Sequence, residues 1–204
     1  MAISYPLSLP SNIGMASIEL RAKNVVAVSE SPFTFKSNVH SYDGQMWEAD
    51  VTLPPMNRDD AEAWVSFLLS LKGRYGTFLL YDPAAKAPRG NVNPSTDTVS
   101  ITGSVGDSTV QCTVASGKTL KAGDYIQLGS ASAATLHKVL VNYVGNGSAK
   151  DLEIWPKLRT AHTGTSAVLT NASGVFRLAT NEVAWSVNDA SFYGISFGAT
   201  EVIL

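Results

Sequence analysis

The side chains in this sequence that could do chemistry are few, and their spacing does not join them into a site. Asp43 and Glu48 come nearest to a pair of carboxylates, and glycoside hydrolysis needs two such groups flanking the scissile bond. A turn carboxylate and an outward-facing strand residue account for them equally well. Gly117-Lys118-Thr119 resembles the end of a phosphate-binding loop, but that loop needs a glycine five residues earlier, where Cys112 stands. Gly106-Asp107-Ser108 resembles the start of an esterase block. Thr109 follows it rather than Leu, and Arg159, not Asp, lies three residues before His162. His40, His137 and His162 are scattered without metal-ligand spacing.

Cys112 is the single cysteine, which excludes an intrachain disulfide and fits synthesis in a reducing cytoplasm. It reads as a small core residue of a strand over 109–114. Asn146-Gly-Ser and Asn171-Ala-Ser match glycosylation sequons. The opening MAISYPLSLPSNIGMASIEL has neither a positive n-region nor a sustained apolar h-region, so no secretory signal is expected. From these residues we expect no catalytic site, no cofactor and no metal.

Composition narrows the remaining classes. Hydrophobic residues make up 45% of the 204-residue chain, enough for a real core in one larger domain or two small ones. Charged residues are only 16%, against roughly 25% in an ordinary soluble domain. Ser and Thr number 39, more than the 32 charged residues, so surface can enter contacts at low desolvation cost. A strand-rich chain would show the same bias. A net charge of −2 argues against sequence-specific nucleic-acid binding through a basic surface. No run approaches 18 apolar residues, so no membrane insertion is expected.

The elements that would carry any function are clearest over residues 47–83. Trp47, Ala49, Val51 and Leu53 alternate with Glu48, Asp50 and Thr52, as in a strand with one buried face. Pro54 and Pro55 stop it. Asn57 is a favourable N-cap, Asp59 and Asp60 suit the first turn, and Lys72 with Gly73 supplies a helix stop. Arg74 to Leu80 resumes an extended pattern. Within the helix, Trp64, Phe67, Leu68 and Leu71 form one stripe, widened by Ala61, Val65 and Leu69 to roughly 200°. One sheet covers about half that width. An intramolecular loop or a second subunit would cover the rest, and for the second case Val65, Phe67, Leu69 and Leu71 are the interface candidates.

Before this unit, Ile18, Leu20 and Ala22 alternate with charged residues, and extended runs follow at 25–28 and 33–35. Asp43-Gly44 predicts a tight hairpin turn. After it, DPAAKAPRGNVNP reads as an ordered linker or long loop. Short strands follow at 98–102, 109–114, 125–128, 136–144, 152–155 and 167–170, the pattern of a small closed barrel. Val183, Trp185 and Val187, a turn at Asn188-Asp189, then Tyr193, Ile195 and Phe197 resemble the first strands more than the barrel. The expected fold is mainly β with one principal α-helix, a β-sandwich with an inserted small β-barrel domain. The sandwich takes residues 1–94 and 171–204, and the barrel takes 95–170.

The run from Trp47 to Pro83, especially LPPM and AEAWVSFLLSLKGRYGTFLLYDP, with PRG at Pro88 to Gly90, resembles tail proteins of long-tailed bacteriophages. The nearest class is the distal-tail and minor-tail proteins that join the tail tube to the baseplate or tail tip. The resemblance implies a structural virion protein, made in the host cytoplasm, built on a β-sandwich with one helix and often forming a ring. It implies a hexamer first and a trimer second, with the tail tube protein and baseplate hub or tail-tip proteins as neighbours. Two other functions compete. One is a carbohydrate-binding or host-recognition module, favoured if Tyr125, Tyr143 or Trp155 lies exposed on a barrel face. The other is a degradative tail enzyme using Asp43 and Glu48.

Overall fold

A computed structural model describes residues 3–203. In chain order its elements are β1 (Ser17–Glu30), β2 (Ser37–Thr52), α1 (Arg58–Ser70), β3 (Phe78–Tyr81), β4 (Ser100–Gly103), β5 (Thr109–Thr113), β6 (Thr119–Leu120) and β7 (Tyr125–Leu128). There follow β8 (Thr135–Val139), β9 (Tyr143–Val144), β10 (Lys150–Trp155), β11 (His162–Ser166), β12 (Ser173–Leu178), β13 (Trp185–Val187) and β14 (Tyr193–Glu201). Strands take 44% of the residues and helix 8%, so the fold is mainly β with one principal helix.

The first sheet has the order β1-β2-β14-β12-β3, with β13 pairing β14. Trp47, Ala49 and Val51 face its core while Asp50 and Thr52 face out, as the alternation predicts. Helix α1 lies on the core face. Asn57 caps it, its side-chain oxygen accepting from Asp60 N–H at 3.0 Å, with Asp59 and Asp60 in the first turn. Lys72 and Gly73 both take positive φ (52° and 66°) and end it. Trp64, Phe67 and Phe78 then stack edge to face, with centroids 5.8 and 5.6 Å apart along the series.

The chain's own N-terminal segment packs along part of the helix that the sheet leaves open. Leu7 adds to β3 through Leu7 N–H to Thr77 O (2.8 Å) and Leu79 N–H to Leu7 O (2.9 Å). Tyr5 Oη donates to Ser70 O at 2.6 Å, and Asn12 Nδ2 donates to Asp60 O at 3.1 Å. Tyr5, Leu7, Leu9, Ile13 and Met15 pack on the core behind these bonds. Of the two covers that the wide apolar arc allowed, the intramolecular one is present.

The second sheet has the order β11-β4-β5-β10-β8-β7, and it curls until Val168 bridges Gln127, with both backbone bonds at 2.9 Å. Ile101, Val110, Cys112, Ile126, Leu128, Leu152 and Ile154 fill its interior. It seats directly on the first sheet. Val175 N–H on β12 donates to Ala134 O at 3.2 Å, and a Cβ on Gly174 would stand 3.0 Å from Leu136 Cβ. Tyr125 and Leu136 belong to the core beneath the helix rather than to the curled sheet's own interior.

Several expectations need correction. Asp43-Gly44 makes no turn: both lie inside the continuous strand β2, at a register shift against Asn24 and Val26. The chain reverses at Ser31–Lys36, where Ser31 N–H donates to Lys36 O at 3.0 Å and Phe35 N–H to Ser31 O at 2.9 Å. The extended run expected at 33–35 is therefore the tip of a hairpin. The strand expected at 74–80 begins only at Phe78, because the helix-ending turn extends to Gly76 N–H donating to Leu71 O. The strand expected at 136–144 divides into β8 and β9, and the one expected at 167–170 is a single bridge following β11. By contrast, the turn at Asn188-Asp189 stands where the sequence puts it: Phe192 N–H donates to Asn188 Oδ1 at 2.9 Å.

Candidate functional site

The outer half of the β1–β2 hairpin is the most unusual surface of the molecule. Strand β14 supports β2 only from Glu48 to Thr52. Beyond Gln45 the two strands continue alone as a ribbon, from Asn24↔Gln45 to Glu30↔Ser37, a reach of about 20 Å at the usual strand rise. From Arg21 to Gly44 every residue is exposed except Ser31, which is half-buried.

This ribbon is apolar where water surrounds it. Phe33 and Phe35 at the tip are 92% and 77% exposed, and Val28 and Val39 form an exposed cross-strand pair. Val25, Val26 and Tyr42 add to the same arm. Between Asn24 and Tyr42 the only full charges are Glu30 and Lys36. At the root the chemistry differs: Arg21 pairs with Asp50, and Lys23 Nζ sits 2.9 Å from Glu48 Oε1. Charged side chains are a common means of keeping an open strand edge from pairing, and they stop where the ribbon leaves the body.

The junction with the second sheet lies at that point. Trp155 Nε1 donates to Asn24 Oδ1 at 2.8 Å. Lys157 donates twice: its N–H to Gln45 Oε1 at 2.8 Å and its Nζ to Asp43 Oδ1 at 2.7 Å. Arg159 Nη2 donates to Gln45 O and lies 3.2 Å from Glu201 Oε2. The hydrogen bond from Lys157 holds the Asp43 carboxyl below its usual range. Burial raises Glu201, against the opposing pull of the Trp47 N–H and the Arg159 guanidinium.

The residues singled out from sequence fall elsewhere. Val65, Phe67 and Leu71 are buried inside the protomer and contribute no outer surface. Their candidacy as interface residues is corrected, because the N-terminal segment and the sheet already enclose them. Only Leu69, 55% exposed, remains on the surface. Asp43 and Glu48 face different partners, Lys157 and Lys23, and form no shared acid–base arrangement.

His137 is fully buried between Pro156 O (2.8 Å) and Thr135 Oγ1 (2.9 Å), and desolvation lowers its pKa to about 4. His162 contacts two threonines, and His40 lies edge-on to Tyr42 on the ribbon. Burial pushes the Cys112 thiol up to about 11. Tyr125 and Tyr143 are buried, and Trp155 packs edge-on against Trp47, so these rings offer no exposed platform to a sugar.

A cleft of about 470 Å³ runs beside β14 and β2. It brings Asp50 and Glu182 together with Thr52, Thr180 and Ser196 and contains no histidine or cysteine, so it offers those hydroxyls no imidazole base. Among the described residues, no three His, Cys, Asp or Glu side chains gather as metal ligands, and no helix is long and apolar enough to cross a membrane.

The arm is the feature that sequence reasoning missed. Its signal was the near absence of charge from Asn24 to Tyr42, hidden by the misread turn at Asp43-Gly44. No protein-family model and no curated protein matches the chain.

Proposed function

We propose that this chain is a non-enzymatic structural protein of a phage tail, forming a ring that connects the tail tube to the baseplate or tail tip. The resemblance of residues 47–83 motivates the class, and the exposed apolar arm is the observation that carries the assembly. A two-stranded ribbon is marginal in water by itself, and one with exposed Phe33, Phe35, Val28 and Val39 gains most from being covered.

The occupant proposed is a second copy of the chain. An arm on one side of a protomer that docks on a different surface of its neighbour makes a heterologous contact, and such contacts close into a ring when the rotation divides the circle. The Asn24–Tyr42 arm approaches the 20–30 residues a side of a standard interface. The resemblance favours sixfold closure, with threefold second, and sets the tube protein and the hub or tip proteins as axial neighbours. The protein is then made in the host cytoplasm and carried in the virion.

Native mass spectrometry of the purified chain and of particle-derived tail tips tests the reading. A hexamer or trimer in either preparation supports it. A strict monomer in both overturns it.

A further inference from the structure

We infer that the curled second sheet acts as a clamp that fixes the direction of the β1–β2 arm, which otherwise bends at the register shift between Asn24 and Val26. The inference stands on the isolated protomer and does not depend on the phage reading.

Three observations coincide at one place. First, the pairing of β1 with β2 breaks register between Asn24↔Gln45 and Val26↔Ser41, so the longer strand bulges over Tyr42–Gly44. A bulge leaves residues out of the ladder, bends the strand and loosens the local restraint on its direction. At Gly44 an added Cβ would stand 2.7 Å from Val25 Cγ2, so a larger residue there would have to displace that side chain. Second, this is where the ribbon loses its third strand, because β14 reaches β2 only as far as Glu48. Past Glu48, β14 still reaches β2 through the Glu201 carboxylate, which accepts from Trp47 N–H at 2.9 Å, and the ribbon proper begins beyond that bond.

Third, contacts from the end of β10 and the segment that follows it land on both strands around the bulge. Trp155 reaches Asn24 on β1, while Lys157 reaches Asp43 and Gln45 on β2, at 2.7 to 2.8 Å. Arg159 adds a bond to the Gln45 carbonyl. These bonds hold both strands at the body side of the bend, Asn24 and Gln45, and hold the bulge itself at Asp43, which restricts the rotation that the bend permits. These donors are themselves anchored. Trp155 packs on Trp47 with centroids 4.5 Å apart, and Arg159 meets buried Glu201.

The test measures arm direction in the full chain. Spin labels on Thr34→Cys at the tip and Ser148→Cys in the bend just before β10 report the arm, and labels on Ser66→Cys of the helix and Ser148→Cys report how the two sheets sit together. Cys112 is fully buried and stays unlabelled. The unsubstituted chain is expected to give narrow distance distributions for both pairs. In Asn24→Ala/Asp43→Ala/Gln45→Ala the arm pair is expected to widen about twofold while the reference pair stays narrow. An arm distribution already broad in the parent, or unchanged in the variant, overturns the inference. Equal widening of both pairs also overturns it, since the contacts would then hold the sheets rather than the arm. If the triple variant does not fold, Trp155→Phe/Asp43→Asn, which removes one donor and one charge while keeping an aromatic ring, applies the same criteria.

Discussion

Trp47 and Trp155 meet edge to face, ring centroids 4.5 Å apart, and each sends its indole N–H across the junction between the two sheets. Trp47 Nε1 donates to Leu136 O on β8 at 2.9 Å, and Trp155 Nε1 donates to Asn24 Oδ1 on β1 at 2.8 Å. The two sheets are therefore joined by a reciprocal pair rather than by a linker alone. Trp47→Phe keeps much of the packing and orphans a buried carbonyl, so it is expected to cost about 1–3 kcal/mol. Trp47→Ala also opens a cavity and is expected to cost about 3–5 kcal/mol. Urea unfolding of both variants measures the difference.

Trp64 offers a sharper contrast. It is 1% exposed under the helix, and its indole N–H has no hydrogen-bond partner. Trp64→Ala is expected to cost about 3–5 kcal/mol through cavity formation. Trp64→Phe loses volume but removes an unsatisfied donor, and its midpoint is expected to fall clearly nearer the parent than that of the Ala variant.

Acid is expected to act on the junction through His137. Its folded pKa, about 4, lies below the ordinary 6.5, chiefly because of burial, with Arg159 and His162 adding in the same direction. The folded state thus binds fewer protons than the unfolded chain between these values. Stability should fall as pH drops from about 6.5 to about 4 and level off below, by up to roughly 3 kcal/mol. His162, also lowered by burial, adds in the same sense. Glu201, raised by burial, works the other way in the carboxylate range, gaining stability as pH falls. Unfolding free energies of the parent and His137→Gln across this range isolate the histidine, and parallel curves would rule out its contribution.

The arm tip should matter to assembly and not to the protomer. Phe33→Ser/Phe35→Ser changes two exposed side chains, so its unfolding midpoint is expected to stay within about 0.5 kcal/mol per site of the parent. Loss of the higher oligomer in native mass spectra, with an unchanged midpoint, is the expected pair of results. Leu69→Ser, on the exposed side of the helix, is expected to leave assembly intact.

Local chemistry was the legible part of this fold. The Asn57 cap, the alternation at Trp47–Val51 and the Asn188 turn each depend on neighbours within a few positions, and each stands where the residues put it. The arm was misread because Asp43-Gly44 carries a strong turn signal used here for a bulge. The real reversal at Ser31–Lys36 puts Phe35, not a glycine, at positive φ (55°). Three of the four interface candidates are buried in the protomer for a different reason. Val65, Phe67 and Leu71 belong to a core against which Tyr5, Leu7, Leu9, Ile13 and Met15 pack, and the irregular backbone of that segment leaves no periodic pattern to read. The contacts around Asn24 join positions more than a hundred residues apart and leave no trace in local sequence.

Strand β12 closes the first sheet against β3, with Ser173 opposite Tyr81, and the whole second sheet is strung between those two residues. Their pairing is therefore a question of timing. As a disordered loop, the intervening chain would oppose that closure with an entropy that grows with its length. Once folded, it delivers Ala172 and Ser173 beside Tyr81 as neighbours and reduces the search to a short approach. The strand pair β3–β12 is thus expected to form late, after the insert, and pulsed hydrogen exchange during refolding should protect Ile101 and Leu152 before Leu80 and Phe176, which lie opposite Gly174 and Phe78 in that pair. The chain's synthesis order and its folding order then diverge: residues made early wait, unpaired, for a partner that the middle of the sequence must first carry into place.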